Sequence, residues 1–96
     1  MRVRYRRQAE LDIENLFSHI ELDNPVAATK VVARIRHAAE RLGIFPYMGH
    51  EGLCIGTYEW VLVGLPYIIV YEVDEIADEV AIIAVFHGAQ FREEGP

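Results

Sequence analysis

This chain of 96 residues contains a single cysteine, Cys54. That excludes an internal disulfide and any zinc site built from clustered cysteines. Its histidines, His19, His37, His50 and His87, never fall at ligand spacing, so no metal is expected, and nothing in the sequence asks for a cofactor. Long apolar runs are missing too. No stretch approaches the roughly 20 residues of a membrane-spanning helix, and the start MRVRYRRQ leads into no apolar run of the secretory kind. A cytoplasmic location with no membrane partner is the expectation. The most informative scarcity is of positive charge in the second half. Residues 51–96 hold one cation, Arg92, against nine acids, whereas residues 1–50 hold eight Arg and Lys against six. A surface that grips phosphates clusters lysine and arginine, so the second half is poorly suited to nucleic acid.

What is present reads as one domain spanning residues 1–96, 52% hydrophobic and 25% charged, with a single core. From Gly56 to Gln90, three apolar runs (Tyr58–Val63, Tyr67–Val73 and Val80–Phe86) are rich in Val, Ile, Tyr, Trp and Phe. Their length and bounding turn residues are those of strands. Gly64-Leu65-Pro66 and Asp74–Glu79 are connections of hairpin length, so an antiparallel meander is expected. Upstream, Arg2-Val3-Arg4-Tyr5-Arg6 alternates with period two and predicts a short edge strand.

Ala9, Ile13, Leu16, Phe17 and Ile20 mark one face of a helix from about Gln8 to Leu22. Asn24 is a good N-cap and Pro25 suits the first position of a second helix. Its apolar face runs through Ala28, Val31, Val32, Ile35, Ala38, Ala39 and Leu42, and Gly43 followed by Pro46 predicts its stop. The short link forces an antiparallel helical hairpin. Residues 44–55 read as a loop with a short strand at Leu53-Cys54-Ile55. The fold class is α+β: an N-terminal strand, a helical hairpin, then a three- to four-stranded antiparallel sheet.

That order, with these residues, resembles the RelE/ParE superfamily of toxins from type II toxin–antitoxin operons. The resemblance rests on Ala9-Glu10-x-Asp12-Ile13-x-x-Leu16, Asn24-Pro25-x-Ala27-Ala28 and Leu42-Gly43-x-x-Pro46-x-x-Gly49. It continues through Gly56-Thr57-x-Glu59, Pro66-Tyr67-x-x-x-Tyr71 and Val85-x-His87-Gly88-Ala89, and covers nearly the whole chain. The ParE-like branch fits best. It implies a toxin neutralised by a ParD-like antitoxin, with DNA gyrase as the target and DNA reached only through the antitoxin. The RelE-like branch implies instead a ribosome-dependent nuclease that cuts messenger RNA. A third reading is a non-toxic relic that only binds antitoxin.

The chemistry favours the first branch over the second. Cutting RNA wants cations around the scissile phosphate and an acid or base. Where relatives commonly carry arginine, this chain has Tyr58 and Glu72, and the loop's basic pair is replaced by His50-Glu51-Gly52-Leu53. No catalytic residue is therefore expected; were the chain a nuclease, His87, Tyr58 and Arg92 would be its polar groups. His87 reads otherwise as a strand-end histidine bonded to backbone, and Tyr67 and Tyr71 as core or groove walls. Lys30, Arg34, His37 and Arg41 draw a basic stripe along the second helix, either a solvated face or a landing strip for antitoxin acids. Glu10, Glu14 and Glu21 are its expected counterpart across the hairpin. Arg4 and Arg6, in the dense cationic patch with Arg2 and Arg7, and Trp60 complete the expected antitoxin contacts. His87, Gln90, Phe91 and Arg92 are the expected target-facing residues.

Overall fold

The computed structural model describes residues 1–89. Its elements are β1 (Arg2–Tyr5), α1 (Arg7–Glu21), α2 (Pro25–Ile44), β2 (His50–Glu51), β3 (Thr57–Val61), β4 (Tyr67–Asp74) and β5 (Glu79–His87). The strands form one five-stranded sheet in the order β1-β5-β4-β3-β2. The chain leaves β1 through the helical hairpin, re-enters the sheet at its far side and meanders back. β5 therefore ends beside β1, and these two are parallel, with Arg2 opposite Glu79 and Tyr5 opposite Ile82. The other pairings are antiparallel. The expected α+β class, edge strand, hairpin and meander are all present.

Local chemistry sets the helices. Asn24 caps α2, its Oδ1 accepting the Ala27 N–H at 3.0 Å, and Pro25 occupies the first turn. The two helices bury Ala9, Ile13, Ile35, Ala38, Ala39 and Leu42 against Ile69, Tyr71, Val80, Ile82 and Val85 of one sheet face. Each large side chain buried there stabilises the fold by roughly 1.5–3 kcal/mol relative to exposure. β5 carries one extra residue, Ile83: Val70 lies opposite Ala84, but Tyr71 lies opposite Ile82. This bulge inverts the alternation partway along β5, so Val80 and Ile82 and then Val85 all turn inward.

Two local expectations are corrected. Gly43 does not cap α2. It is buried inside the helix, which continues to Ile44, because β1 crosses there: a Cβ on Gly43 would sit 2.8 Å from Met1 O and 2.8 Å from Val3 Cγ2. The Met1 nitrogen donates to Gly43 O at 2.8 Å across the same contact. Nor do Leu53-Cys54-Ile55 form a strand. Leu53 is 67% exposed and Ile55 fully so, in a turn where Thr57 N–H and Oγ1 both donate to Cys54 O, at 3.1 and 2.7 Å. Gly56, at φ +85°, completes that turn. The short strand of this region is β2, earlier in the chain. No helix among the described residues is long and apolar enough to cross a membrane.

Candidate functional site

Side chains, more than backbone, hold the corner where the loop after α2 meets β3 and β4. Tyr71 is wholly buried, and its hydroxyl donates to Pro46 O at 2.8 Å while accepting the Gly49 N–H at 3.0 Å. Burial pushes that hydroxyl's pKa up, with the Gly49 N–H pulling the other way. Tyr58 stacks on Tyr71 and Tyr47 meets Tyr58 edge-on, both with ring centroids 5.6 Å apart. Tyr47 donates its hydroxyl to Glu75, whose carboxylate pushes the tyrosine pKa up to about 12. Glu59, 7% exposed, is the buried charged residue among the described residues. It accepts the Leu53 N–H at 3.3 Å and lies 3.2 Å from His50 Nε2. These hydroxyls and this carboxylate are engaged in holding residues 46–53 in place.

The sheet face away from the helices presents Arg4, Ala81, Glu72 and Thr57 in one row across β1, β5, β4 and β3. Arg4 Nη1 lies 3.3 Å from Glu79 Oε2, and Arg6 is paired with Glu72. Glu72, at a position where an arginine would serve a phosphate, thus binds one of the cations that β1 brings to the sheet. A groove of about 1270 Å³ is lined by Arg4, Arg6, Arg7 and Gln8 of the β1–α1 junction and by the acids Glu72, Asp74, Glu75 and Glu79.

His87 and Tyr58 are not brought together. His87 pairs with Tyr67 and Tyr58 with Tyr71, four positions along β4 and on opposite sides of it, so they stand roughly 16 Å apart. His87 Nδ1 accepts the Ala89 N–H at 3.2 Å, and its ring meets Tyr67 edge-on at 5.6 Å. Gln90, Phe91 and Arg92 lie outside the described residues. Lys30, Arg34, His37 and Arg41 are all exposed along α2, and Arg34 Nη2 donates to Val63 O at 2.7 Å. Trp60 is half-buried and packs on the core. Among the described residues no group of His, Cys, Asp and Glu is placed to hold a metal ion.

Residues 3–91 match the family described as the ParE toxin of the type II toxin–antitoxin system parDE. The chain is also 38% identical over 89 residues to Y4kP, a candidate toxin of Sinorhizobium fredii, covering 93% of this chain and 90% of that one. The chain belongs to the ParE toxin family. It is a ParE-type toxin of a type II toxin–antitoxin system. Its fold is similar to that in the chromosomal ParDE system of P. aeruginosa, with a TM-score of 0.80 at 20% identity over 91% of this chain and 95% of that one. It is also similar to the intact E. coli RelBE complex, with a TM-score of 0.67 at 15% identity over 88% and 92%. At such identities these are likenesses of fold.

In this ParE-family chain the hairpin's ion pair is not the expected one. Glu10 bonds Arg36, at 3.0 and 3.2 Å, instead of meeting the stripe of Lys30, Arg34, His37 and Arg41. The guanidinium also lies 4.4 Å over the Tyr5 ring, tying α1, α2 and β1 together. Arg36 holds the Glu10 carboxyl below its usual range, chiefly through this hydrogen bond. The signal for Arg36 was its spacing: it lies four residues from Val32 and three from Ala39, on the flank of the apolar face. Glu59 was visible only as the last residue of the Gly-Thr-x-Glu motif.

Proposed function

We propose that this ParE-type toxin is silenced by direct binding of a ParD-like antitoxin and inhibits DNA gyrase without cutting nucleic acid. The observation that carries this reading is the state of the sheet's cations: Arg4 is engaged by Glu79 and Arg6 by Glu72. Cutting RNA requires a base for the ribose 2′-hydroxyl, cations for the phosphorane and an acid for the leaving oxygen. Here Glu79 and Glu72 stand beside Arg4 and Arg6 and would repel a doubly charged phosphorane, and His87 and Tyr58 stand too far apart to act on one phosphate. Binding a protein asks for none of this. Lys30, Arg34, His37 and Arg41 on α2, with Arg4 on β1, Arg6 just after it and the partly covered Trp60, are the antitoxin-facing set. His87, with Gln90, Phe91 and Arg92, is the target-facing set, and the protein works in the cytoplasm.

The test is gyrase supercoiling with the purified toxin, with and without the antitoxin encoded beside it, run next to cell-free translation. Supercoiling should fail, translation should continue, and the antitoxin should restore supercoiling. Cleaved messenger with intact supercoiling would sink the gyrase reading. If both processes continue and the neighbour still binds, the protein is an antitoxin-binding relic.

A further inference from the structure

Two turns meet at the end of the sheet away from His87, and each holds up an isoleucine. Thr57 opens β3 opposite Glu72 of β4, so the turn before Thr57 lies beside the hairpin that joins β4 to β5, on strands roughly 5 Å apart. Ile55 in the first turn and Ile76 in the second are fully exposed, more so than any other large apolar side chain among the described residues. Leu53, two residues before Ile55, and Tyr47 are exposed as well, and Tyr47, Gly56 and Ile76 line one groove. Lone apolar side chains on a surface are ordinary, whereas several gathered from three loops mark a contact.

Neither turn is free to fold its isoleucine away. Thr57 N–H and Oγ1 hold Cys54 O, and Gly52 N–H donates to Thr57 O at 2.8 Å. The buried Glu59 carboxylate takes the Leu53 N–H. In the hairpin, Asp74 Oδ1 accepts the Ala77 N–H at 3.0 Å, and Glu75 accepts the Tyr47 hydroxyl. Anchors held in this way lose little freedom on binding. Charge then selects among partners. Glu51, Asp74, Glu75 and Asp78 are exposed and flank the two turns, and residues 51–89 contain no Lys or Arg. Arg6 and Arg7 also line the groove, but Arg6 is paired with Glu72. A second copy placed end to end would set acid against acid. An antitoxin segment suited to the α2 stripe would be acidic, and repelled as well.

We propose that the Ile55 and Ile76 turns are a surface by which the toxin holds its protein target, and that the receiving site is an apolar cleft bordered by lysine and arginine. The inference rests on the reading above, in that the target is taken to be gyrase. It adds a contact at the opposite end of β4 from His87. The isoleucines enter the cleft and shed water, which supplies the binding. The acids meet the cations of the border, which speeds encounter and fixes orientation more than it adds affinity. A protein that handles DNA carries such cations where it holds the phosphates. The toxin thus offers cations to its antitoxin and acids to its target.

The experiment measures binding of purified gyrase to the full chain by surface plasmon resonance. Ile55→Ser with Ile76→Ser in one chain should weaken gyrase binding by about tenfold or more. The unfolding midpoint and the affinity for the antitoxin encoded beside it should stay as in wild type. Glu51→Gln with Asp78→Asn removes two charges, and asparagine tolerates the left-handed backbone of Asp78, at φ +57°. This variant should bind gyrase about fivefold more weakly at low salt, the difference shrinking as salt rises. An I55S/I76S chain that holds gyrase like wild type overturns the surface and leaves the gyrase reading standing. Loss with I55S/I76S but none with E51Q/D78N overturns the cationic border. Self-association of the wild type in sedimentation, abolished by I55S/I76S, gives the surface to a second copy and overturns the proposed occupant. Absence of gyrase binding by the wild type removes the gyrase reading and this inference with it.

Discussion

The two edges of the sheet are secured by opposite means. β1 is attached by a backbone ladder to β5, with its arginines only lightly paired. β2 is two residues long, and its surroundings are clamped by side chains: the Tyr71 hydroxyl and the Glu59 carboxylate. A ladder is indifferent to which side chains flank it, so the β1 edge can vary its exposed residues freely. A clamp depends on single atoms, so the β2 corner should fail when one is removed or crowded.

The largest effect should come from crowding the clamp. A Cβ at Gly49 would lie 2.6 Å from Glu59 O and 2.6 Å from Tyr71 Oη. Gly49→Ala should cost ~3 kcal/mol in denaturant unfolding, because a backbone oxygen cannot step aside. A loss below ~1 kcal/mol would mean that the corner is pliable and the contrast is wrong. Gly43→Ala repeats the insult at the other edge, 2.8 Å from Met1 O, but alanine's better helix propensity returns about 1 kcal/mol, leaving a loss of ~1–2 kcal/mol.

Tyr71→Phe deletes one oxygen and strands the Gly49 N–H and Pro46 carbonyl. It should cost about 1.5 kcal/mol and speed amide exchange at Gly49. Slower or unchanged exchange there would show that the loop is held by something else. At the β1 edge, Arg6→Ala should change thermal stability by less than ~0.5 kcal/mol, as expected of a screened pair; a larger drop would make Glu72 a structural anchor.

The smallest effect concerns pH. The Glu10 carboxyl is held below its usual range by Arg36. Its contribution is therefore present at neutral pH and above the unfolded glutamate value, and is lost as pH falls through the folded value. Discounted for exposure, the wild type should exceed Glu10→Gln by less than ~0.5 kcal/mol at pH 7. The gap should close in acid. A gap that persists at low pH would assign Glu10's contribution to packing.

The sequence disclosed whatever depends on neighbours in the chain. Asn24-Pro25 announced the start of α2, the alternation of Arg2 to Arg6 announced an edge strand, and the three apolar runs announced the meander. It hid what depends on distant partners. Gly43 followed by Pro46 has the form of a helix stop; that Met1 and Val3 pack onto this glycine, 42 residues away in the case of Met1, is a tertiary fact. β2 is too short to show a period. The engaged state of Arg4 and Arg6 rests on the parallel placement of β1 beside β5, which no local pattern encodes. Of the candidate site, the residue types were legible in His87, Tyr58 and the α2 stripe, but their separation was not.

The pairing of β1 with β5 also orders the molecule in time. Arg4 and Glu79 are 75 residues apart, so the first strand made waits for the last before it has a ladder at all. A chain halted in synthesis before β5 can fold its hairpin, yet its leading arginines meet neither Glu72 nor Glu79 in a finished sheet. Domains are made from the N-terminus onward, and here completion of the final strand is what turns a string of charged residues into a surface. The assembled toxin and its unfinished precursors therefore show different faces to the cell.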